Sequence, residues 1–372
     1  MKAWMNSLTA LAALTSKGAP AVAPIGLDFA AQRLNMLQAI PSADGPAVRA
    51  AVSLPYPVER AQLLADAPRL KRFVRDALHA APFAGRRVVS VLAPSEVRIL
   101  PLTVHVQNGQ NEGQSVAKAV REQLGAAAAD SVVDYYQVRS VKASGSERQV
   151  LAAVASTKNV LAYLETLRGA GLEPVALDIG PAAIARLLAA MQEDFEQSVL
   201  LINFGASKSY LTVIWGRRLM LDREIDFGEQ QLVERLSRAL GLDTEVALAL
   251  LREHGIGTPA GTHQGGGAQP DIGRTVREIL YQEFAALAEE LVRTQVYVAS
   301  RTRGSSISRV YLNGSVARYR HIGERVAELV RLPVDLLDPF KAFQGAMPGT
   351  AVGDAHAIAL AAGLALRGGA HG

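Results

Sequence analysis

A short phrase occurs twice in this chain, and its recurrence is what most limits the folds open to it. Leu27-Asp28-Phe29-Ala30-Ala31 precedes an apolar-alternating run from Leu34 to Ile40, and 175 residues further on Ile202-Asn203-Phe204-Gly205-Ala206-Ser207 precedes a second run, Tyr210 to Trp215. Each copy reads as strand, tight turn, strand. Two such hairpins, one near the start of each half, predict a duplicated fold closing on the phosphates of one nucleotide, because turn amides left free by the strand ladder can point at an anion. The two copies differ where that chemistry needs them to agree.

With 372 residues the chain is too long for one compact core, which predicts two domains. A content of 49% hydrophobic and 20% charged residues excludes a disordered or fibrous chain. The net charge of +4 is spread thinly, with no basic run interleaved with aromatics, so a nucleic-acid partner is not expected. The absence of cysteine rules out disulfides and thiolate chemistry and agrees with a cytoplasmic setting. No stretch approaches the roughly 18 to 20 apolar residues that span a bilayer. Met1, Trp4, Met5, Leu8, Leu11 and Ala12 fall at helical spacing, so residues 1–20 read as an amphipathic extension that packs on the fold or on a partner.

Along the chain, Ala21 to Phe29, Leu34 to Ile40 and Val48 to Leu54 read as consecutive strands. A helix from about Val58 to Ala80, broken at Pro68, and a strand from Arg87 follow. Between residues 95 and 171 the texture becomes strand, helix, strand, strand, helix, the size of an inserted subdomain. Gly171 to Asp178 then leads into a helix at Pro181, well placed for a first turn. The second hairpin opens the second half, which continues through a strand from Arg218 to Ile225, helices up to His254 and a loop from Gly257 to Gly273. A long helix from Thr275 to Ser300, a strand ending before Asn313-Gly314-Ser315, a helix from Val316 to Val330 and a final helix from Asp354 complete it. The expected division is a first domain over 21–196 including the insertion, a second over 197–348 with a helical subdomain at 229–274, and residues 349–372 returning to the first.

Asp28 ends its strand where a carboxylate could hold magnesium through water beside phosphates, although a strand-end aspartate more often simply caps a turn. Gly205-Ala206-Ser207 supplies small residues for close backbone approach to an anion. Gly228, Gly314 and Ser315 stand at strand-to-helix junctions of the kind where a nucleotide meets a helix N-terminus. Gly265-Gly266-Gly267 lacks the Gly-Lys-Ser/Thr of a phosphate loop and reads as a linker. The seven histidines form no HExxH motif, and no Gly-x-Ser-x-Gly elbow is present. Asp178 is either a second carboxylate for the cleft or a helix-entry residue, the latter fitting its position better.

These parts together resemble the type IV pilus assembly PilM family, actin-like proteins related to the cell-division protein FtsA. The resemblance runs from about Ala21 to Arg367 and includes Gly169-Ala170-Gly171-Leu172-Glu173-Pro174-Val175-Ala176-Leu177-Asp178, Arg223-Glu224-Ile225-Asp226-Phe227-Gly228, Leu337-Asp338-Pro339-Phe340 and Ala362-Gly363-Leu364-Ala365-Leu366-Arg367. It implies an α/β, two-domain actin-like fold of the ASKHA, ribonuclease H-like class with an FtsA-type inserted subdomain. It also implies a protein peripheral to the inner membrane that holds the N-terminal peptide of PilN, a single-span membrane protein, with a homodimer or filament as a further possibility of the fold.

The same resemblance marks departures. The family usually has Gly and Ser at Ala30 and Ala31, Lys at Asn35, Asp at Asn203 and a second Gly at Ser315, and it carries Glu and Lys where Leu248 and Leu251 stand. Asn203 removes a charge from a magnesium site, Asn35 removes a cation that offsets phosphate, and Ala30 adds a methyl where backbone should approach the anion. The expectation is weak ATP and magnesium binding, little or no hydrolysis, and a scaffold role. The partner peptide is expected near the inserted strand, at Arg98, Ile99, Leu100, Leu102 and Val104, where an extended chain can add to an edge. The competing expectations are an active ATPase or sugar-kinase-like phosphotransferase, and the cytoplasmic part of a type II secretion L-type protein, which would require a membrane helix after the fold.

Overall fold

The computed structural model describes residues 23–106, 111–138, 146–192, 197–257, 272–302, 304–345 and 355–368. The amphipathic extension at 1–20 and the triple glycine lie outside them. Strands β1 (Ile25–Phe29), β2 (Arg33–Ser42) and β3 (Gly45–Pro55) form an antiparallel meander. Helices α1 (Arg60–Ala65) and α2 (Ala67–His79) precede β4 (Arg87–Val91), which lies parallel to β1. The helix break expected at Pro68 falls two residues earlier, because the Asp66 side chain accepts the Arg69 amide at 3.0 Å and caps α2, leaving Pro68 in its first turn.

The inserted unit is a three-stranded antiparallel sheet in the order β5-β7-β6, made by β5 (Val97–His105), β6 (Ser131–Gln137) and β7 (Glu147–Ser156) and covered by α3 (Glu112–Leu124). Val116 and Val120 of α3 pack on Val104, Val150, Ala152 and Val154. The next helix, α4 (Thr157–Gly169), packs on the first sheet instead: Leu167 is buried with Leu27, Leu63 and Leu70, and the Tyr163 hydroxyl meets Ser90 Oγ at 2.8 Å. Strand β8 (Glu173–Asp178) then joins β4 in parallel, and α5 (Gly180–Met191) crosses to the second half.

There β9 (Ser198–Phe204), β10 (Ser209–Trp215) and β11 (Arg218–Ile225) repeat the meander. After α6 (Glu229–Leu240), α7 (Thr244–His254), α8 (Ile272–Ile279) and α9 (Tyr281–Arg301), strand β12 (Ile307–Gly314) pairs in parallel with β9. Helix α10 (Ile322–Val330), strand β13 (Val334–Leu336) and helix α11 (Ala359–Ala365) complete the described chain. The single long helix expected from Thr275 is broken at Leu280. The helix expected from Val316 begins instead as a short 3-10 turn, and α10 starts only after His321, which has φ +66°.

The two five-stranded sheets have the orders β3-β2-β1-β4-β8 and β11-β10-β9-β12-β13, strand for strand the same plan. Alternation along each strand sends one set of side chains outward and the other between the sheets. Leu37 and Ala51 of the first sheet and Val199, Leu201 and Ile214 of the second share one core with α5 and α11. Gly26 faces α11 so closely that an added Cβ would stand 2.0 Å from the Ala361 carbonyl oxygen. The helices thus fill the space between the sheets.

Candidate functional site

Asp28 lies two residues beyond Gly26, on the same inward face, directly opposite Asn35 on β2, which in turn lies opposite Ser53 on β3. The Asn35 amide donates to Asp28 Oδ2 at 3.2 Å, Ser53 Oγ donates to Asn35 Oδ1 at 2.7 Å, and Arg33 Nε donates to Ser53 Oγ at 2.9 Å. Asp28, Asn35 and Ser53 are all buried. Burial pushes the Asp28 carboxyl up to about 6, against the smaller opposing effects of the Asn35 bond and the Arg60 charge. Around the turn, Arg60 Nε donates to the Phe29 carbonyl at 2.9 Å and the Tyr56 hydroxyl to the Ala30 carbonyl at 2.8 Å. Ala30 is half-buried and Ala31 exposed.

The second hairpin places Asn203 opposite Tyr210 on β10 and Asn313 on β12. Asn313 Nδ2 donates to Asn203 Oδ1 at 3.1 Å, while Asn313 Oδ1 is buried without a partner among the described residues. Gly205 and Ala206 turn their carbonyls toward α6, accepting from the Glu229 and Gln230 amides at 3.2 and 2.8 Å. Gly228 allows that approach, because a Cβ there would stand 2.6 Å from the Ala206 oxygen and 2.6 Å from the Ser207 carbonyl carbon. Gly314, at φ +90°, passes so near Phe204 that a Cβ would meet its carbonyl oxygen at 2.0 Å. Ser315 then closes the corner, its amide donating to the Phe204 carbonyl at 2.8 Å and its hydroxyl to that of Gly205 at 2.9 Å. The carbonyls of Phe29, Ala30, Phe204, Gly205 and Ala206 are engaged, while the amides of Ala30, Ala31, Ala206 and Ser207 donate to no acceptor among the described residues.

The structure therefore gathers Asp28, Ala30, Ala31 and Asn35 at one turn, and Asn203, Gly205, Ala206, Ser207, Gly228, Gly314 and Ser315 at the other, at corresponding positions of two matched sheets. Among the described residues no three His, Cys, Asp or Glu side chains stand together as a metal site. A magnesium nucleotide would have the Asp28 carboxylate from the first hairpin and neutral amides, Asn203 and Asn313, from the second. Sequence reasoning missed Ser53 and Tyr210 as members of these rows; the period-two spacing of β3 and β10 carried the signal. Leu251 is fully buried and Leu248 packs against the same core, so neither offers a polar group. Asp178 fits the helix-entry reading: it accepts the Ile179 amide at 2.9 Å at the entry to α5, and Arg186 Nη2 and Arg367 Nη1 hold it at 2.8 and 3.1 Å.

The residues considered for a peptide divide between two faces of β5. Val104 is buried beneath α3, with Leu100 and Leu102 half-buried beside it, whereas Ile99 packs toward the core between the sheets and Arg98 is exposed. Among the described residues strand β5 pairs only with β7, and no strand lies along its other edge.

A family model described as type IV pilus assembly protein PilM matches residues 26–369. Among solved structures, the PilM-PilN type IV pilus biogenesis complex is similar over 94% of this chain and 99% of the matched one, with a TM-score of 0.71 and 22% identity. The ethanolamine utilization protein EutJ from Carboxydothermus hydrogenoformans gives a TM-score of 0.48 at 14% identity, covering 94% of this chain and 90% of that one. That second likeness is too slight to bear on the site.

Proposed function

The chain belongs to the type IV pilus assembly protein PilM family and has its actin-like fold, and from that premise we propose that it is a non-catalytic scaffold whose nucleotide cleft has degenerated. Support comes first from how little anionic oxygen the cleft offers. A hard divalent cation needs anionic oxygen, and the carboxylate offered, Asp28, is buried, raised to about 6 and bonded to an amide in place of a cation. Its counterpart, Asn203, is bonded to another amide. ATP and magnesium are then weak ligands at most, although the free turn amides keep the outline of a phosphate clamp.

The partner proposed is a PilN-like single-span membrane protein, since the matched structure is a complex bearing that name, and its N-terminal peptide is the part held. Through that partner the protein would sit at the inner membrane; among its described residues no helix is long and apolar enough to cross one. The edge of β5 away from β7, unpaired among the described residues, is the surface we assign to the peptide. The Val106 amide donates to the Ser146 carbonyl at 2.7 Å, toward β7, so alternation turns the backbone groups of Ile99, Pro101 and Thr103 outward. Pro101 suits that edge, having no N–H to leave unpaired. An added strand would find donors at Ile99 and Thr103. In this reading the first domain keeps α4, and the inserted unit closes near Ser156 and not at 171.

The N-terminal peptide of the PilN-like protein should bind the nucleotide-free chain in a fluorescence anisotropy titration. Thr103→Pro, which removes one outward donor, should weaken binding about five- to tenfold. Undiminished affinity would contradict the assignment of the edge.

A further inference from the structure

Positive charge gathers round a hollow at the end of the first sheet remote from the cleft. Because β1, β4 and β8 are parallel, Asp28, Val91 and Asp178 mark one end of that sheet, and Ala23, Arg86 and Leu172 the other. The length of β4 separates the two ends by roughly 16 Å. At the second end a cavity of about 440 Å³ lies between α2, the segment leading into β4 and the turn from α4 to β8. Lys71, Arg72, Arg75 and His79 of α2 line it together with Arg86, and Leu78 and Phe83 provide an apolar wall.

Arg75 is paired with Asp76 at 3.0 Å, but Lys71, Arg72 and Arg86 have no carboxylate partner among the described residues. Lys71 and Arg75 are four apart on one helix, and Arg72 and Arg75 three apart, spacings at which like charges repel. Arg86 is brought against them by the backbone: its carbonyl accepts the Glu173 amide at 2.8 Å. Gly171, at φ +83°, keeps the turn open beneath it, since a Cβ there would stand 3.6 Å from Arg86 Nη1 and 3.9 Å from Lys71 Cε. All five side chains are exposed, yet they ring one concavity from two separate elements, with apolar surface beside them, and an anion is what offsets such a cluster. Guanidinium groups favour the paired oxygens of phosphate.

We propose that this cavity is a second anion site, independent of the cleft, which binds a phosphate group carried either by a soluble phosphorylated molecule or by an anionic phospholipid headgroup. The test compares Lys71→Gln/Arg86→Gln with Lys118→Gln/Arg293→Gln, which removes the same charge from exposed positions elsewhere. Calorimetry with millimolar inorganic phosphate, and sedimentation with phosphatidylglycerol and phosphatidylethanolamine vesicles, are the two probes. The unaltered chain and the control variant should bind at least one probe, and Lys71→Gln/Arg86→Gln should lose about tenfold or more of that affinity. Lys71→Arg/Arg86→Lys should retain it, which keeps the comparison meaningful if the glutamine variant melts early. Binding of phosphate without vesicles assigns a soluble ligand, and binding of vesicles assigns the headgroup. The site is overturned if the unaltered chain binds neither probe, or if the two glutamine variants lose affinity equally.

Discussion

The side-chain amide of Asn35 donates to the carboxylate of Asp28 at 3.2 Å from the directly opposed position on the neighbouring strand. Asn35 is itself held by Ser53 at 2.7 Å, and Ser53 by Arg33, so the carboxylate ends a short chain of polar groups that satisfy one another. A lysine at position 35 would place a mobile cation there. The amide gives the acid a donor but no charge, and burial outweighs it and the Arg60 charge together, with measurable consequences.

The first concerns pH. The Asp28 carboxyl is raised from 3.8 unfolded to about 6 folded, chiefly by burial. Below about pH 4 it is protonated in both states and contributes nothing; as pH rises toward 6 the folded state holds the proton more tightly than the unfolded state, so stability from this group falls. Above that range the full cost applies, about 2–3 kcal/mol. Asp28→Asn should therefore raise the Tm at pH 7.5 by about 3 °C or more, and by only about a third as much at pH 4.5, where roughly a third of the cost is present. Thermal melts at the two pH values check this, and a variant no more stable at pH 7.5 would count against it.

Gly314 and Gly304 have nearly equal φ angles, +90° and +91°, but a Cβ added at Gly314 would meet the Phe204 oxygen at 2.0 Å, whereas around Gly304 nothing among the described residues lies within 4 Å. Gly304→Ala should cost about 1 kcal/mol from backbone strain alone, and Gly314→Ala at least about 2 kcal/mol more, because the corner at Ser315 must shift. Urea denaturation of the two variants separates the effects.

Asp178 joins β8 to α5 and to the end of the described chain through Arg186 and Arg367. Arg186 also donates to the Gly363 carbonyl at 2.7 Å. Removing the shared acid leaves two guanidinium groups partly buried without their counter-charge, and Asp178→Ala should destabilise by about 3 kcal/mol. Arg367→Ala, which leaves the closer pair in place, should cost less in the same denaturation assay.

The duplicated hairpins were legible in the sequence because alternation of period two fixes both strand and register, and register alone sets Asp28 against Asn35. The departures at Asn35 and Asn203 were legible only through the family resemblance, which supplies the residues they depart from. The bond from Ser53 was not, since it depends on β3 pairing with β2 across a bulge between Gln38 and Ala39. Nor were the two arginines on Asp178, one of them contributed from the far end of the chain. Leu100, Leu102 and Val104 appeared in the sequence as an apolar strand open to a peptide. Which face α3 covers is a matter of tertiary packing, and once it is covered, the backbone edge is what β5 has left to offer. The helix break moved from Pro68 to Asp66 because a capping carboxylate decides where a helix starts, while proline is at ease in its first turn.

Isothermal titration of the purified protein with magnesium ATP, alongside Asn35→Lys/Asn203→Asp, bears most directly on the proposal that the cleft is degenerate. The unaltered chain should show no saturable binding at low micromolar ATP and no turnover, and the double variant, with cation and carboxylate restored, should bind more tightly. Low-micromolar binding by the unaltered chain, or hydrolysis that Asp28→Ala abolishes, would show that the cleft is a working nucleotide site.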